Sequence, residues 1–158
     1  MSRTERKWAT VAVIAAAIGL LDAAYLAASH YRGVAPECSL FNGCEQVTAS
    51  AYATMFGVPT ALFGALYYVF VLALLFLVLE FGSRRAVLLL LGASGAAFLF
   101  SLWLVFVQLF LLKAVCLYCV LSALTSTTVF GAGLALFLAQ RGNKRSDSSS
   151  FYINTYAK

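Results

Sequence analysis

Four apolar stretches of helical length alternate with short polar breaks along this chain. They run from about Trp8 to Ser29, Val58 to Glu80, Ala86 to Leu112 and Ala114 to Ala139. A helix rises about 1.5 Å per residue, so about 20 residues cross the roughly 30 Å of hydrocarbon in a bilayer. Each stretch reaches that length, and the pattern predicts four transmembrane helices. Gly92, Gly95, Gly131 and Gly133 are compatible with helix here, because small residues let membrane helices approach closely. The breaks are unequal. F-G-S-R-R joins the second and third helices, and the third and fourth meet almost directly around Lys113. Only the first connection, about His30 to Gly57, has room for structure. Its second half, E-Q-V-T-A-S-A-Y-A-T-M-F, mixes polar and apolar positions without proline, and predicts a short helix lying on the membrane surface. Gly57 and Pro59 then mark the start of the second helix.

Composition narrows the class. The chain is 63% hydrophobic and 11% charged, against about 25% charged in soluble domains. The expected fold is an all-α integral membrane bundle of four transmembrane helices, with an outer loop and a short capping helix. Residues 8–140 form one membrane domain, and 141–158 a polar cytoplasmic tail. The net charge is +5, but its placement says more than its size. Basic residues cluster at Arg3, Arg6 and Lys7, at Arg84 and Arg85, and at Arg141, Lys144, Arg145 and Lys158. With both termini cytoplasmic, only Arg32 and Lys113 of the 11 Lys and Arg fall outside, as the positive-inside rule requires. No basic patch interleaves with exposed aromatics, so a nucleic-acid partner is not expected. The first stretch exceeds the 7–15-residue core of a signal peptide and reads as a retained helix.

The chemistry lies in four cysteines. Cys38 and Cys44 flank S-L-F-N-G in the outer loop, where Asn42-Gly43 is a turn signal. Cys116 and Cys119 form C-L-Y-C at the mouth of the fourth helix. In the predicted topology both pairs face the outer, disulfide-permissive side. Three residues apart on a helix, Cys116 and Cys119 share a face, with Cys119 about 4.5 Å deeper. Cys116 can meet a thiol from above, and Cys119 a lipid-soluble acceptor from within. A helix N-terminus favours the reactive thiolate. The loop pair has the access that thiol–disulfide exchange requires. Two static disulfides are the bland alternative. A four-thiolate zinc site fits poorly, since it wants two closely spaced pairs on a closed soluble knuckle, and no metal is expected.

Taken together, Cys38-x5-Cys44, Ser50 six residues later, Gly57-x-Pro59 opening the second helix and Cys116-x-x-Cys119 opening the fourth resemble the vitamin K epoxide reductase family. The resemblance spans about residues 8–140. It implies a four-helix bundle around a pocket for a quinone of the ubiquinone, menaquinone or vitamin K type, capped by the outer loop. It further implies that Cys38 and Cys44 shuttle electrons, that Cys116 exchanges with Cys44, that Cys119 faces the quinone, and that Ser50 lies near it. Two positions depart from the animal enzymes. Thr60 stands where they carry asparagine, and Ala123 where they carry tyrosine. Both point away from epoxide reduction and toward the prokaryotic branch, which supports oxidative folding of exported proteins. Some of those relatives carry a fused thioredoxin-like domain. This sequence shows none, so a separate thioredoxin-fold (DsbA-like) partner on the outer side is expected. Two alternatives stand beside this: a vitamin K epoxide or quinone reductase running the relay in the reducing direction, and a non-enzymatic scaffold with structural disulfides.

By depth, Phe63 and Tyr67 on the second helix and Phe106 and Phe110 on the third lie near Cys119 and are candidates to line a flat pocket. Asp22 lies inside the first span, where acids are costly and often functional. It is a candidate proton relay, against an interior polar contact. Gln108 invites the same two readings.

Overall fold

The computed structural model describes residues 2–34, 47–48, 50, 53–55 and 57–156, with side chains as far as residue 142. Cys38, Cys44 and part of the segment read as a capping helix lie outside these residues.

The first helix, α1 (Arg3–Arg32), outruns its apolar stretch because both ends are capped. The Ser2 N–H donates to Glu5 Oε2 at 2.6 Å, and the Glu5 N–H donates to Ser2 Oγ at 3.2 Å. This reciprocal pair satisfies two donors that a helix start leaves open. At the other end Gly33 takes a left-handed φ of 65°, and its N–H closes onto the His30 carbonyl at 3.1 Å.

Downstream, Val47 and Thr48 are helical. Thr54–Met55 (β1) then pairs antiparallel with Val58–Pro59 (β2), with Thr54 opposite Pro59 and Met55 opposite Val58. The surface helix anticipated as far as Phe56 therefore does not reach Thr54. Gly57, at φ 78°, provides the reversal, a conformation that side chains with a Cβ disfavour. Pro59 then caps α2 (Thr60–Phe81), which ends at a left-handed Gly82. Ser83 caps α3 (Arg84–Phe106) by accepting from the Ala86 N–H at 3.4 Å. The F-G-S-R-R break is thus one C-cap followed directly by one N-cap. The third helix widens into a π-helical segment, Val107–Leu112, and stops at Lys113 in a left-handed conformation (φ 49°). The fourth, α4, runs Leu117–Tyr156, and its apolar span is Leu117–Gly142. All four helices are long and apolar enough to cross a membrane, as the hydrophobic pattern predicts.

In the bundle α1 packs against α2 and α4, and α3 against α4 and α2. The buried face of α1 is nearly all small: Ala9, Ala12, Ala16, Gly19 and Ala23. Small residues let backbones approach closely where lipid supplies no hydrophobic drive. At Gly19 the approach is close, because an added Cβ would land on the Tyr68 ring. That ring cannot yield easily. It is 1% exposed, and its hydroxyl is tied to Thr125 Oγ1 at 2.7 Å and to the Ser122 carbonyl at 3.1 Å. Gly19→Ala is therefore expected to lower stability by about 1–3 kcal/mol, read as a fall in thermal midpoint in detergent. Gly131→Ala, where an added Cβ meets open space, is the control and should change it little.

Candidate active site

The α3–α4 turn places the C-L-Y-C motif. The Lys113 and Ala114 N–H groups both close onto the Gln108 carbonyl, the latter at 3.1 Å. The Gln108 side chain reaches the same turn, and its Oε1 accepts the Cys116 N–H at 3.1 Å. The Cys116 carbonyl takes the first helical bond, from the Val120 N–H at 3.1 Å. Cys116 therefore sits at the cap position of α4, with its sulfur over the open N–H groups of the first turn.

The two sulfurs have different surroundings. Cys116 is fully buried, while Cys119 is partly exposed. The Cys119 thiol donates to the Cys116 sulfur, and the Cys119 and Tyr118 N–H groups aim at it as well. Against the opposing effect of burial, these donors bring the Cys116 thiol down to about 6. Its thiolate is thus favoured at neutral pH, as expected of a cysteine at a helix N-terminus. The Tyr118 ring lies against that of Tyr25 on α1, with centroids 5.1 Å apart.

Cys119 opens onto a cavity of about 750 Å³ between the helices. Small molecules occupy cavities of about 300–1,000 Å³ with mostly apolar walls and a few polar groups. The walls here fit that description. Ser50, Thr60, Phe63 and Tyr67 line it, as do Phe100, Gln108 and Ala123. Ser50 is turned back on its own segment, its hydroxyl donating to the Val47 carbonyl at 2.7 Å. The Tyr67 hydroxyl is buried and has no partner among the described residues.

Phe106 and Phe110 do not line the cavity. They stack on each other with centroids 4.7 Å apart and are 51% and 65% exposed, on the outside of the bundle. The residues of the third helix that line the cavity include Ala93, Ala97, Phe100, Leu104, Val107 and Gln108. Val107 and Gln108, between Phe106 and Phe110 in sequence, line the cavity, while the two phenylalanines turn outward. Depth alone does not distinguish these faces. Phe100 is the aromatic that sequence reasoning missed, and the signal for it was Gln108: stepping back by helical turns from the polar residue leads to Leu104, Phe100 and Ala97.

Asp22 is buried, and neither carboxyl oxygen has a hydrogen-bond partner among the described residues. It is not part of the cavity wall. It lies on the thiol side, within electrostatic reach of Cys116. No group of metal-ligating side chains is found among the described residues.

Residues 10–134 match the model of the vitamin K epoxide reductase family. The chain belongs to that family. No curated protein matches it. The match takes in both cysteine pairs and the second and third apolar spans whole, begins within the first span and ends within the fourth. A vitamin K epoxide reductase family protein of this form is a multi-pass integral membrane oxidoreductase, from a family associated with quinones. Thr60 and Ala123 both stand on the cavity wall.

Proposed function

We propose that this protein is a quinone-dependent thiol–disulfide oxidoreductase that reoxidises a separate thioredoxin-fold protein for disulfide formation in exported proteins. One observation carries the reading: a vicinal cysteine pair has one sulfur on the wall of a ligand-sized apolar cavity and the other buried behind it as a favoured thiolate. The positive-inside distribution supports cytoplasmic termini and an outer location for all four cysteines.

A quinone fits the residues present. The cavity has flat apolar walls at Phe63 and Phe100, hydroxyls at Ser50 and Thr60, and a buried tyrosine hydroxyl in need of a partner. A buried donor without an acceptor costs about 1–3 kcal/mol, and a carbonyl-bearing ligand supplies that acceptor. When bound, a quinone supplies a two-electron, two-proton acceptor. Phe63, Phe100, Tyr67, Ser50 and Thr60 would hold it, and Cys119 is the thiol that faces it. Asp22, behind the pair, is suited to hold the proton that a thiol releases.

The steps on the protein are exchanges that conserve electrons. A thiolate of the reduced partner attacks Cys38 of the Cys38–Cys44 disulfide, and Cys44 leaves as thiolate. The second partner thiol resolves the mixed disulfide, so the partner is oxidised and the loop pair reduced. Cys44 then attacks Cys116 of the Cys116–Cys119 disulfide, and Cys119 leaves as thiolate into the cavity wall. Cys38 attacks Cys44 and expels Cys116. The loop disulfide is restored, and the reduced pair stands beside the cavity. A low-pKa sulfur is the better leaving group in the last exchange, which is the role the cap position gives Cys116.

The test is direct. Purified protein should oxidise a thioredoxin-fold dithiol only when quinone is added, with one quinol formed per disulfide. A quinone-independent rate of the same size would overturn the reading. Four cysteines permanently oxidised and indifferent to quinone would leave a scaffold. Reduction of vitamin K epoxide by a dithiol would place the flow in the reverse direction, against the loss of asparagine and tyrosine at Thr60 and Ala123.

A further inference from the structure

Gln108 occupies a place in the site that the cysteine relay does not explain. It is 4% exposed, stands on the cavity wall, and belongs to the π-helical segment that ends α3. Segments of this kind are rare and often sit at functional sites. Both of its acceptors are committed. The main-chain carbonyl takes the Lys113 and Ala114 N–H groups, and Oε1 takes the Cys116 N–H. The donor at Cys116 also fixes the orientation of the amide, because an N–H can only face the oxygen. The remaining functional group is the side-chain NH2, which carries two donors and no acceptor role.

We infer that Gln108 is a positioning residue whose amide NH2 donates to a carbonyl of the bound quinone while its Oε1 holds the peptide of Cys116. One planar group then links ligand and dithiol. The wall carries apolar surface on either side of Gln108, from Leu104 and Leu112, so a carbonyl there has few competing donors. The link also accounts for the π-helical turn. The segment brings a side chain of the third helix to both the cavity and the first residue of the cysteine motif, two places that the turn at Lys113 would otherwise separate.

This inference rests on the quinone reading above, and the experiment separates the two. Quinone labelled with a carbon isotope at its carbonyls is bound to the wild-type protein, and the carbonyl stretches are recorded by difference infrared spectroscopy. A donated hydrogen bond lowers a carbonyl frequency. One carbonyl should therefore be lowered in the wild type and return to its free position in Gln108→Met, with quinone affinity falling about tenfold and KM rising with it. A merely structural role for Gln108 moves neither band. Unchanged bands and affinity in Gln108→Met would overturn the inference while leaving quinone-dependent turnover intact. Absence of quinone binding to the wild type would overturn both.

If Gln108→Met does not fold, wild-type protein labelled with nitrogen-15 only at its glutamine side chains carries the test. The chain has three glutamines, Gln46, Gln108 and Gln140, so Gln46→Glu and Gln140→Glu assign the Gln108 amide by elimination. Its NH2 resonances should shift on addition of quinone. Resonances that stay in place at saturating quinone would overturn the inference.

Discussion

Replacing Cys119 with alanine is expected to abolish quinone reduction, by at least about a thousandfold, while the loop pair still accepts electrons from its partner. The expectation follows from exposure and position. Cys119 is the sulfur on the cavity wall, whereas Cys116 is fully buried and does not line it. Without Cys119 the α4 site holds a single thiol. It cannot form an internal disulfide, so no electron pair can pass from it to the cavity. Cys44 has no disulfide at Cys116 to attack, and reducing equivalents stop at the loop. The measurements are quinol formation, followed optically, and the redox state of Cys38 and Cys44, followed by mass tagging. Normal quinone reduction in Cys119→Ala would show that the cavity is not where electrons leave. In Cys38→Ser, Cys44 still attacks Cys116 and expels Cys119 but nothing remains to expel Cys116, and in Cys119→Ser the Cys116 thiolate attacks Cys44 of the loop disulfide and expels Cys38, so each variant should accumulate a Cys44–Cys116 linkage, visible as a cross-linked peptide. Its absence from both would count against the order of exchanges.

The spans and their ends were legible because their signals are local. Twenty apolar residues define a membrane helix wherever they pack, and Gly82-Ser83 encodes a C-cap and an N-cap in two residues. The position of Cys116 and Cys119 at a helix start followed from the same boundary. The face that each helix turns inward was not legible. A helix apolar all round carries no amphipathic stripe to mark its buried side. Phe100, Phe106 and Phe110 therefore look alike in sequence, though only Phe100 reaches the cavity. Polar residues inside the spans carry the missing information. Gln108 marks the lining face of α3. The pair Gly19 and Tyr68 marks a close contact of α1 with α2, but a glycine shows its partner only once the bundle is assembled. The hairpin at Thr54–Pro59 was missed for a different reason: a polar–apolar mixture over twelve residues suits a surface helix as well as an extended pair, and Gly57 decides between them only through its positive φ.

The reduced protein is expected to hold Cys116 mainly as thiolate at neutral pH. With the thiol brought down to about 6 from an ordinary 9.0, roughly nine tenths is ionised at pH 7, against about one hundredth for an unperturbed thiol. The thiolate ultraviolet absorbance of a Cys38→Ala/Cys44→Ala variant, which isolates the α4 pair, should titrate with a midpoint near 6. The leading cause is the hydrogen bond from the Cys119 thiol, followed among the favourable causes by the N–H groups of Cys119 and Tyr118. Adding Cys119→Ala removes the first donor and leaves the peptide N–H groups, so the midpoint should move up but stay below that of a free thiol. The sign carries over to stability. A group whose folded value lies below its unfolded value contributes in full above the unfolded value, and loses that contribution as pH falls through the folded one. The reduced protein should therefore gain stability relative to its oxidised form as pH rises from about 6 toward 9. Stabilising the reduced form makes the couple more oxidising, which draws electrons from the loop pair toward the cavity. A midpoint near 9 in the loop-cysteine variant would remove this bias and with it the part assigned to Cys116 as a favoured leaving group.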